Sequence, residues 1–310
     1  MITEEGSKKM RKVVLSIVAL AASMAPALAA DLVKKAAPAP VAAPAAPSPW
    51  DIAFGGVVQS DYNFRGVSQS NKGPSGGAYF EPQLNTGIGT FYVGLAGYGI
   101  NWPSAPAYGF TDPSAEIDIY GGWRKTWDAF SLDLGLIYYY YPKEIFNGFT
   151  KDSDFYEVYA KASYAVTPAL TLGANVFYTP DLLNYSETFA TGGISADAGA
   201  TYASVTGKWV TPWTAGDLGA YISGELGHWW IDNKGWNAAL LTDPSYTFYN
   251  AGIAFTYKAL TLDLRYYGTD QSVAQCRSFL LIGPGNPAQN WCDDTFIAAI
   301  KFDTTLMALK

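Results

Sequence analysis

The chain has little of what most functional classes require. Its 310 residues include one histidine, His228, and two cysteines, Cys276 and Cys292. A zinc site of the usual Cys and His type needs more ligands than these, so no metal and no cofactor is expected. Charged residues make up only 15%, which is low for a soluble protein of this size. There is no basic stripe, and a net charge of −7 with a pI near 4.7 leaves no electrostatic footprint for nucleic acid. Beyond residue 30 no apolar run reaches the roughly 18 residues that a spanning helix needs. A mean hydropathy of +0.03 is equally far from a helical membrane protein.

Tyrosine, tryptophan and glycine are abundant, with 22 Tyr, 10 Trp and 31 Gly, and aromatics reach 15%. Modest hydropathy with many Tyr, Trp and Gly suits transmembrane strands, whose two faces average out and whose interfacial aromatics form girdles. A secreted β-sandwich or lectin-like domain shares this composition, so the pattern along the chain has to separate the two.

Residues 7–29 carry a basic start at Lys8, Lys9, Arg11 and Lys12, an apolar stretch from Val13, and Ala27-Leu28-Ala29. This is the plan of a secretory signal peptide, here residues 1–29, with Met10 as an alternative start to Met1. Residues 30–49 include a Pro/Ala tract, expected to be an extended periplasmic spacer. A mature start at Ala30-Asp31 before such a spacer resembles alphaproteobacterial outer-membrane proteins joined to peptidoglycan through their N-terminus; an idle linker is the alternative. Both cysteines lie in one loop of an exported chain, which makes a Cys276–Cys292 disulfide the natural pairing, with two free thiols as the other possibility.

From Trp50 onward, side chains sort by parity, as a strand requires. Leu132, Leu134, Leu136, Tyr138 and Tyr140 share one face, and Ser131, Asp133 and Gly135 the other. Ile117, Ile119 and Trp123 oppose Glu116, Asp118 and Arg124. In Trp50–Ser70, taken as the first strand and its capping loop, Ile52, Phe54, Val58, Tyr62 and Phe64 oppose Gln59, Asp61, Asn63 and Arg65. Breaks alternate between tight, as at Gly87-Ile88-Gly89 and Lys258-Ala259, and long, as at 102–113 and 269–292. They cut residues 50–302 into about twelve strands beginning near 50, 78, 90, 114, 129, 154, 169, 197, 217, 245, 260 and 293. An even count with short turns on one rim and long loops on the other predicts an all-β, up-and-down antiparallel transmembrane barrel in the outer membrane of a Gram-negative bacterium, with both termini periplasmic. Residues 303–310 are then a periplasmic tail.

Aromatics gather where two girdles are expected. Trp50, Phe91, Trp127, Phe130, Tyr164, Trp213 and Tyr257 lie near the tight turns. Tyr62, Phe64, Tyr98, Trp102, Tyr138 to Tyr141, Tyr178, Trp229, Trp230 and Tyr266 lie near the long loops.

The segment Gln59-Ser60-Asp61-Tyr62-Asn63-Phe64-Arg65-Gly66-Val67-Ser68-Gln69-Ser70 resembles the opening signature of the TorF family of porins. That resemblance implies a porin-like outer-membrane barrel over residues 50–302, though its specific part is the first strand. A departure is the C-terminus: many such barrels end on an aromatic, whereas eight residues follow Phe302 here.

The face opposite lipid carries eight acids, Asp61, Glu81, Glu116, Asp118, Asp133, Glu157, Glu225 and Asp263, against six bases, Arg65, Arg124, Lys161, Lys208, Arg265 and Lys301. With Gln59 and Asn63 they are the expected pore-lining set. They either pair across strands and rigidify the wall or line a polar path with a weak cation preference. Eight-stranded barrels are filled by side chains and roughly 16-stranded ones hold water, so twelve strands predict a narrow path partly plugged by inward loops. Hairpin register predicts an Arg65–Glu81 ion pair. The function expected is passive passage of small hydrophilic solutes or ions, including ion transport; the alternative is a non-conducting structural or adhesive barrel. An outer-membrane phospholipase would need His228 with Ser245 and Asn250, and no nucleophile motif accompanies them, so no catalytic role is assigned. Outer-membrane lipid and small solutes are the expected partners, with peptidoglycan through the N-terminus as a further one; a homo-oligomer is left open.

Overall fold

Period-two alternation becomes twelve long strands. The computed structural model describes residues 48–102, 113–142, 152–186, 197–232, 243–280 and 285–309. The expected signal peptide and almost all of the Pro/Ala spacer lie outside these residues. The long strands are β1 (Trp50–Gln59), β4 (Ser75–Thr86), β5 (Gly89–Gly99), β6 (Ala115–Trp127), β7 (Phe130–Tyr140), β8 (Phe155–Ala165), β9 (Leu170–Thr179), β10 (Ala200–Ala215), β11 (Leu218–Ile231), β12 (Tyr246–Tyr257), β13 (Leu260–Thr269) and β14 (Thr295–Thr305). Two short strands, β2 (Asn63–Phe64) and β3 (Val67–Ser68), pair only with each other. Every long strand is antiparallel to its neighbours, and β1 pairs with both β4 and β14, closing the barrel. Each long strand begins within three residues of its expected position.

Closure leaves no free sheet edge among the twelve strands, so their backbone groups pair within the wall apart from local breaks at Glu81-Pro82 and between Val210 and Thr214. The outer face is apolar. Val58, Phe80, Val93, Leu95, Ile119, Leu134, Leu136, Val158, Val205, Ile222, Leu226 and Ile300 are all exposed on it. Aromatics ring both ends: Trp50, Phe91, Trp127, Phe130, Tyr164, Trp213 and Tyr257 at the turn rim, and Tyr140, Tyr156, Tyr178, Trp230, Tyr266 and Phe296 at the loop rim. The inner face is lined by the other parity, and neighbouring strands make room for its bulk with glycine. At Gly135, for example, a Cβ would lie 2.5 Å from the Tyr159 hydroxyl and 2.6 Å from the Gly121 carbonyl oxygen.

Three expectations need correction. First, β1 stops at Gln59 rather than carrying the alternation on to Arg65 before its capping loop: after Ser60 donates its backbone N–H to the Ala298 carbonyl, the chain turns into the barrel. Second, Tyr62, Tyr139, Tyr141 and Trp229 do not belong to the loop-rim girdle. All are buried inside the barrel, and Phe64, Tyr98 and Trp102 pack against the same cluster. Parity assigned Tyr62 and Phe64 outward only on the premise that the strand ran on. Third, β14 runs to Thr305, because Asp303 donates its N–H to Ala259 and Leu306 donates to Ile52 beyond the expected end at Phe302.

At the loop rim, a helix spans Val273–Phe279. Ser272 caps it, accepting from the Gln275 N–H while the Gln275 side chain accepts from the Ser272 backbone. Cys276 within it is bonded to Cys292, with Cα atoms 5.9 Å apart. A crosslink enclosing a loop of about 15 residues contributes about 3 kcal/mol in the chain-entropy account. Cys276→Ser/Cys292→Ser is therefore expected to lower the urea midpoint of the folded barrel in detergent, and reducing agent to lower it in the wild type but not in the double variant.

Candidate functional site: a plugged lumen

The Asn63–Ser68 hairpin enters the lumen because its tip adopts a turn that ordinary residues resist. Arg65 and Gly66 both have positive φ, at 49° and 89°, the pattern of a two-residue hairpin turn matched to strand twist. Asn63 Oδ1 accepts the Gly66 N–H at 2.9 Å. A Cβ on Gly66 would collide with the Thr269 side chain and lie 3.2 Å from the Phe248 ring, so only glycine fits against β12 and β13. The base of the plug is tied by Asp61, which accepts from the Ser68 hydroxyl at 2.6 Å and the Ser70 hydroxyl at 2.9 Å. Burial raises the Asp61 carboxyl above its usual range, against the opposing pull of those hydroxyls and Lys72. The plug is also joined to the last loop: Ser68 donates its N–H to the Trp291 carbonyl at 3.0 Å, and the Trp291 indole N–H donates to Asn71 Oδ1 at 3.0 Å.

At the tip, the Arg65 guanidinium makes a bidentate pair with Glu157 on β8, at 2.7 and 2.8 Å. Glu157 is fully buried and also accepts from the Tyr139 hydroxyl at 3.0 Å. The guanidinium stands over four rings: Tyr202 at 4.2 Å, Trp229 at 4.5 Å, Phe64 at 4.7 Å and Phe177 at 4.8 Å. The expected Arg65–Glu81 pair is thus not formed. Glu81 instead pairs with Arg124 at 2.9 Å, and the diagonal register that predicted the other pairing needs a β1 that reaches Arg65, which it does not.

A second contact fixes the plug. Tyr62 donates its hydroxyl to Glu116 Oε1, and Tyr141 donates to Glu116 Oε2 at 2.7 Å. Asp118, two residues on along the same inner face, is also buried. Around these groups the loop half of the lumen is a hydrophobic cluster that includes Tyr62, Val67, Tyr139, Trp229, Tyr246, Phe279 and Trp291.

The turn half is polar. Arg124 lies 3.9 Å from Asp133, and its guanidinium is 3.8 Å above the Tyr92 ring. Tyr92 donates to Asp133 and shares a 2.6 Å hydrogen bond with Tyr159. Arg265 reaches Asn250 Oδ1 at 2.6 Å, the Ser223 hydroxyl at 2.7 Å and Asp263 at 3.3 Å; Lys301 also meets Asp263, at 3.0 Å. Where the two halves meet, Glu225 accepts at 2.7 Å from Tyr202, whose ring lies under the Arg65 guanidinium. Lys161 lies 4.4 Å over the Tyr159 ring and Lys208 4.0 Å over the Tyr221 ring, and among the described residues neither makes an ion pair. Of the expected lining set, Gln59 and the charged residues borne on strands therefore stand on the inner face, whereas Asp61, Asn63 and Arg65 belong to the plug and not to the wall.

Residues 43–279 match the family described as "Bacterial protein of unknown function (Gcw_chp)". The chain belongs to this family. No curated protein matches it. Among solved structures, the NanC porin is 12% identical with a TM-score of 0.45, over 81% of this chain and 98% of that one. The COG4313 outer membrane channel from Pseudomonas putida F1 is also 12% identical with a TM-score of 0.45, over 84% of this chain and 97% of that one. The KdgM porin is 9% identical with a TM-score of 0.40, over 81% and 98%.

The hydrolase constellation is not assembled. His228 faces outward, bonding Thr247 at 3.0 Å, while Ser245 bonds Ile231 backbone and Asn250 points inward to Arg265. The tyrosines that bond the lumen carboxylates, Tyr92, Tyr139, Tyr141 and Tyr202, were not among the expected lining residues. Their signal was an inward Tyr one or two strands from an inward acid.

Truncating Arg65 leaves Glu157 buried without a counter-charge, a defect that costs about 3–5 kcal/mol. Arg65→Ala is expected to lose stability on that scale in urea unfolding. Arg65→Ala/Glu157→Gln should lose clearly less, since the stranded charge is gone.

Proposed function

We propose that the protein is an outer-membrane channel that passes small hydrophilic solutes or ions by passive diffusion, with the Asp61–Ser70 segment as its closure. The observation that carries this reading is the contrast between the two faces of the wall. An apolar belt between aromatic rings faces outward, and inside stands a ring of charged and hydroxyl groups that a packed structural core would not need. Such a belt suits a bilayer, and the short turns then lie in the periplasm with both termini. The resemblance of Gln59–Ser70 to the TorF porins agrees with it. In this conformation the hairpin, which is no part of the wall, fills the loop half of the lumen together with wall and last-loop aromatics such as Trp229, Tyr246, Phe279 and Trp291.

The bonding of the plug to the Cys276–Cys292 loop favours a second reading, a non-conducting structural barrel that the Pro/Ala spacer would tether to peptidoglycan. Planar-bilayer recording separates the two. The channel reading expects discrete, salt-dependent steps that grow in size or frequency when Tyr62–Gln69 is replaced by a Gly/Ser linker. Silence from both proteins, each shown to be folded by heat modifiability, sinks it. Independently, Val205→Arg puts a charge at mid-belt and is expected to cost about 2–4 kcal/mol of folding into lipid vesicles; an unchanged folding free energy would remove the outer face from the bilayer.

A further inference from the structure

The surroundings of Arg65 divide into a part that travels with the plug and a part built into the wall. Phe64 alone comes from the hairpin. Glu157, Tyr139, Phe177, Tyr202 and Trp229 sit on β8, β7, β9, β10 and β11, five consecutive strands of the closed barrel. They form a pocket with one buried carboxylate, oriented by a tyrosine hydroxyl, and three aromatic faces within 4.2–4.8 Å of the bound carbon. That chemistry is selective. Two oxygens of Glu157 meet two nitrogens of one planar cation, a fork that an ammonium ion cannot reproduce. Flat rings on several sides add cation–π attraction in a dry setting. The carboxylate and three of the four rings around the guanidinium therefore belong to the wall and not to the hairpin.

We propose that this wall pocket is a guanidinium-binding site whose resident ligand is the chain's own Arg65, so that small solutes bearing a guanidinium group compete with the plug for it. The plug then acts as a tethered ligand, and the solute class that displaces it is set by Glu157 and the three rings. The binding does not depend on conduction. A failure of binding and a failure of the channel reading are read in different experiments.

The test uses methylguanidinium as probe and methylammonium at equal ionic strength as control, with the full folded protein in detergent. In Arg65→Ala, methylguanidinium is expected to raise the thermal midpoint saturably and methylammonium to leave it unchanged; in Arg65→Ala/Glu157→Gln the response is lost. In the wild type, methylguanidinium is expected to accelerate amide hydrogen exchange of the 62–69 hairpin several-fold at concentrations where methylammonium does nothing. No saturable response in folded Arg65→Ala, an equal response in the double variant, or hairpin exchange that does not accelerate would overturn the proposal. Should Arg65→Ala not reach the heat-modifiable form by itself, methylguanidinium is added during refolding, where recovery of that form is expected and failure to recover it counts against the site equally.

Discussion

Closure of β1 against β14 is the constraint on which everything else rests. A sheet with an open edge cannot sit in hydrocarbon, because unpaired backbone groups have no water to turn to. Once the ring is closed, parity gives every strand one face toward lipid and one toward the lumen. Lipid-side positions can then be Val, Leu and Ile, and every charge must go inside. The inner face therefore has to neutralise a collection of carboxylates and cations that in a soluble protein would be solvated. Its tyrosines are part of that solution. Tyr92, Tyr139, Tyr141 and Tyr202 each donate a hydroxyl to an inward Asp or Glu while filling volume with a ring.

The two ends of the lumen solve the problem differently. Toward the turns, the ion pairs are made within the wall: Arg124 with Glu81 and Asp133, and Asp263 with Arg265 and Lys301, all come from strands. Toward the loops, the wall is incomplete. Glu157 has Tyr139 but no cation of its own, and Glu116 has Tyr141; Arg65 and Tyr62 on the plug supply the remaining partners. A carboxylate as deeply buried as Glu157 is strongly destabilised without a counter-charge. The hairpin is thus held by an electrostatic demand of the wall.

Strand number, strand starts and the side of each wall residue were legible because they depend on period two and on turn chemistry, both local. A lumen partly plugged by inward loops was expected from the strand number, but that residues 61–70 form the plug was not legible, for a physical reason. The alternation of Gln59, Asp61, Asn63 and Arg65 with Tyr62 and Phe64 continues unbroken past the end of β1, and parity cannot tell a strand that goes on from one that turns inward. The local signals were there: Arg65-Gly66 as a turn pair, and Asp61 with Ser68 and Ser70 at a spacing that closes a loop on itself. What they could not give was the partner. Glu157 lies 92 residues away, and only the rolled-up geometry of the barrel brings it opposite Arg65. Trp229 is a different case: it shares parity with the inward Glu225 on β11, so period two already turns it in, and only its nearness to a long loop beside the exposed Trp230 grouped it with the girdle.

This asymmetry bears on what plug withdrawal would disturb. The ion pairs of the turn half do not involve residues 60–73, so the barrel keeps them whether or not the hairpin is in place. The loop half loses its Arg65 and Tyr62 contacts together, along with the packing of Val67 in the aromatic cluster. Withdrawal of the hairpin as proposed would therefore be a local change with a defined electrostatic cost, set mainly by Glu157. Anything that lowers that cost, whether a replacement cation or loss of the carboxylate's charge, shifts the plug without asking the wall to move. If the hairpin is the proposed closure, its balance on one buried carboxylate is what would let a ligand or a single substitution release it. A closure built from the strands would require the ring itself to break.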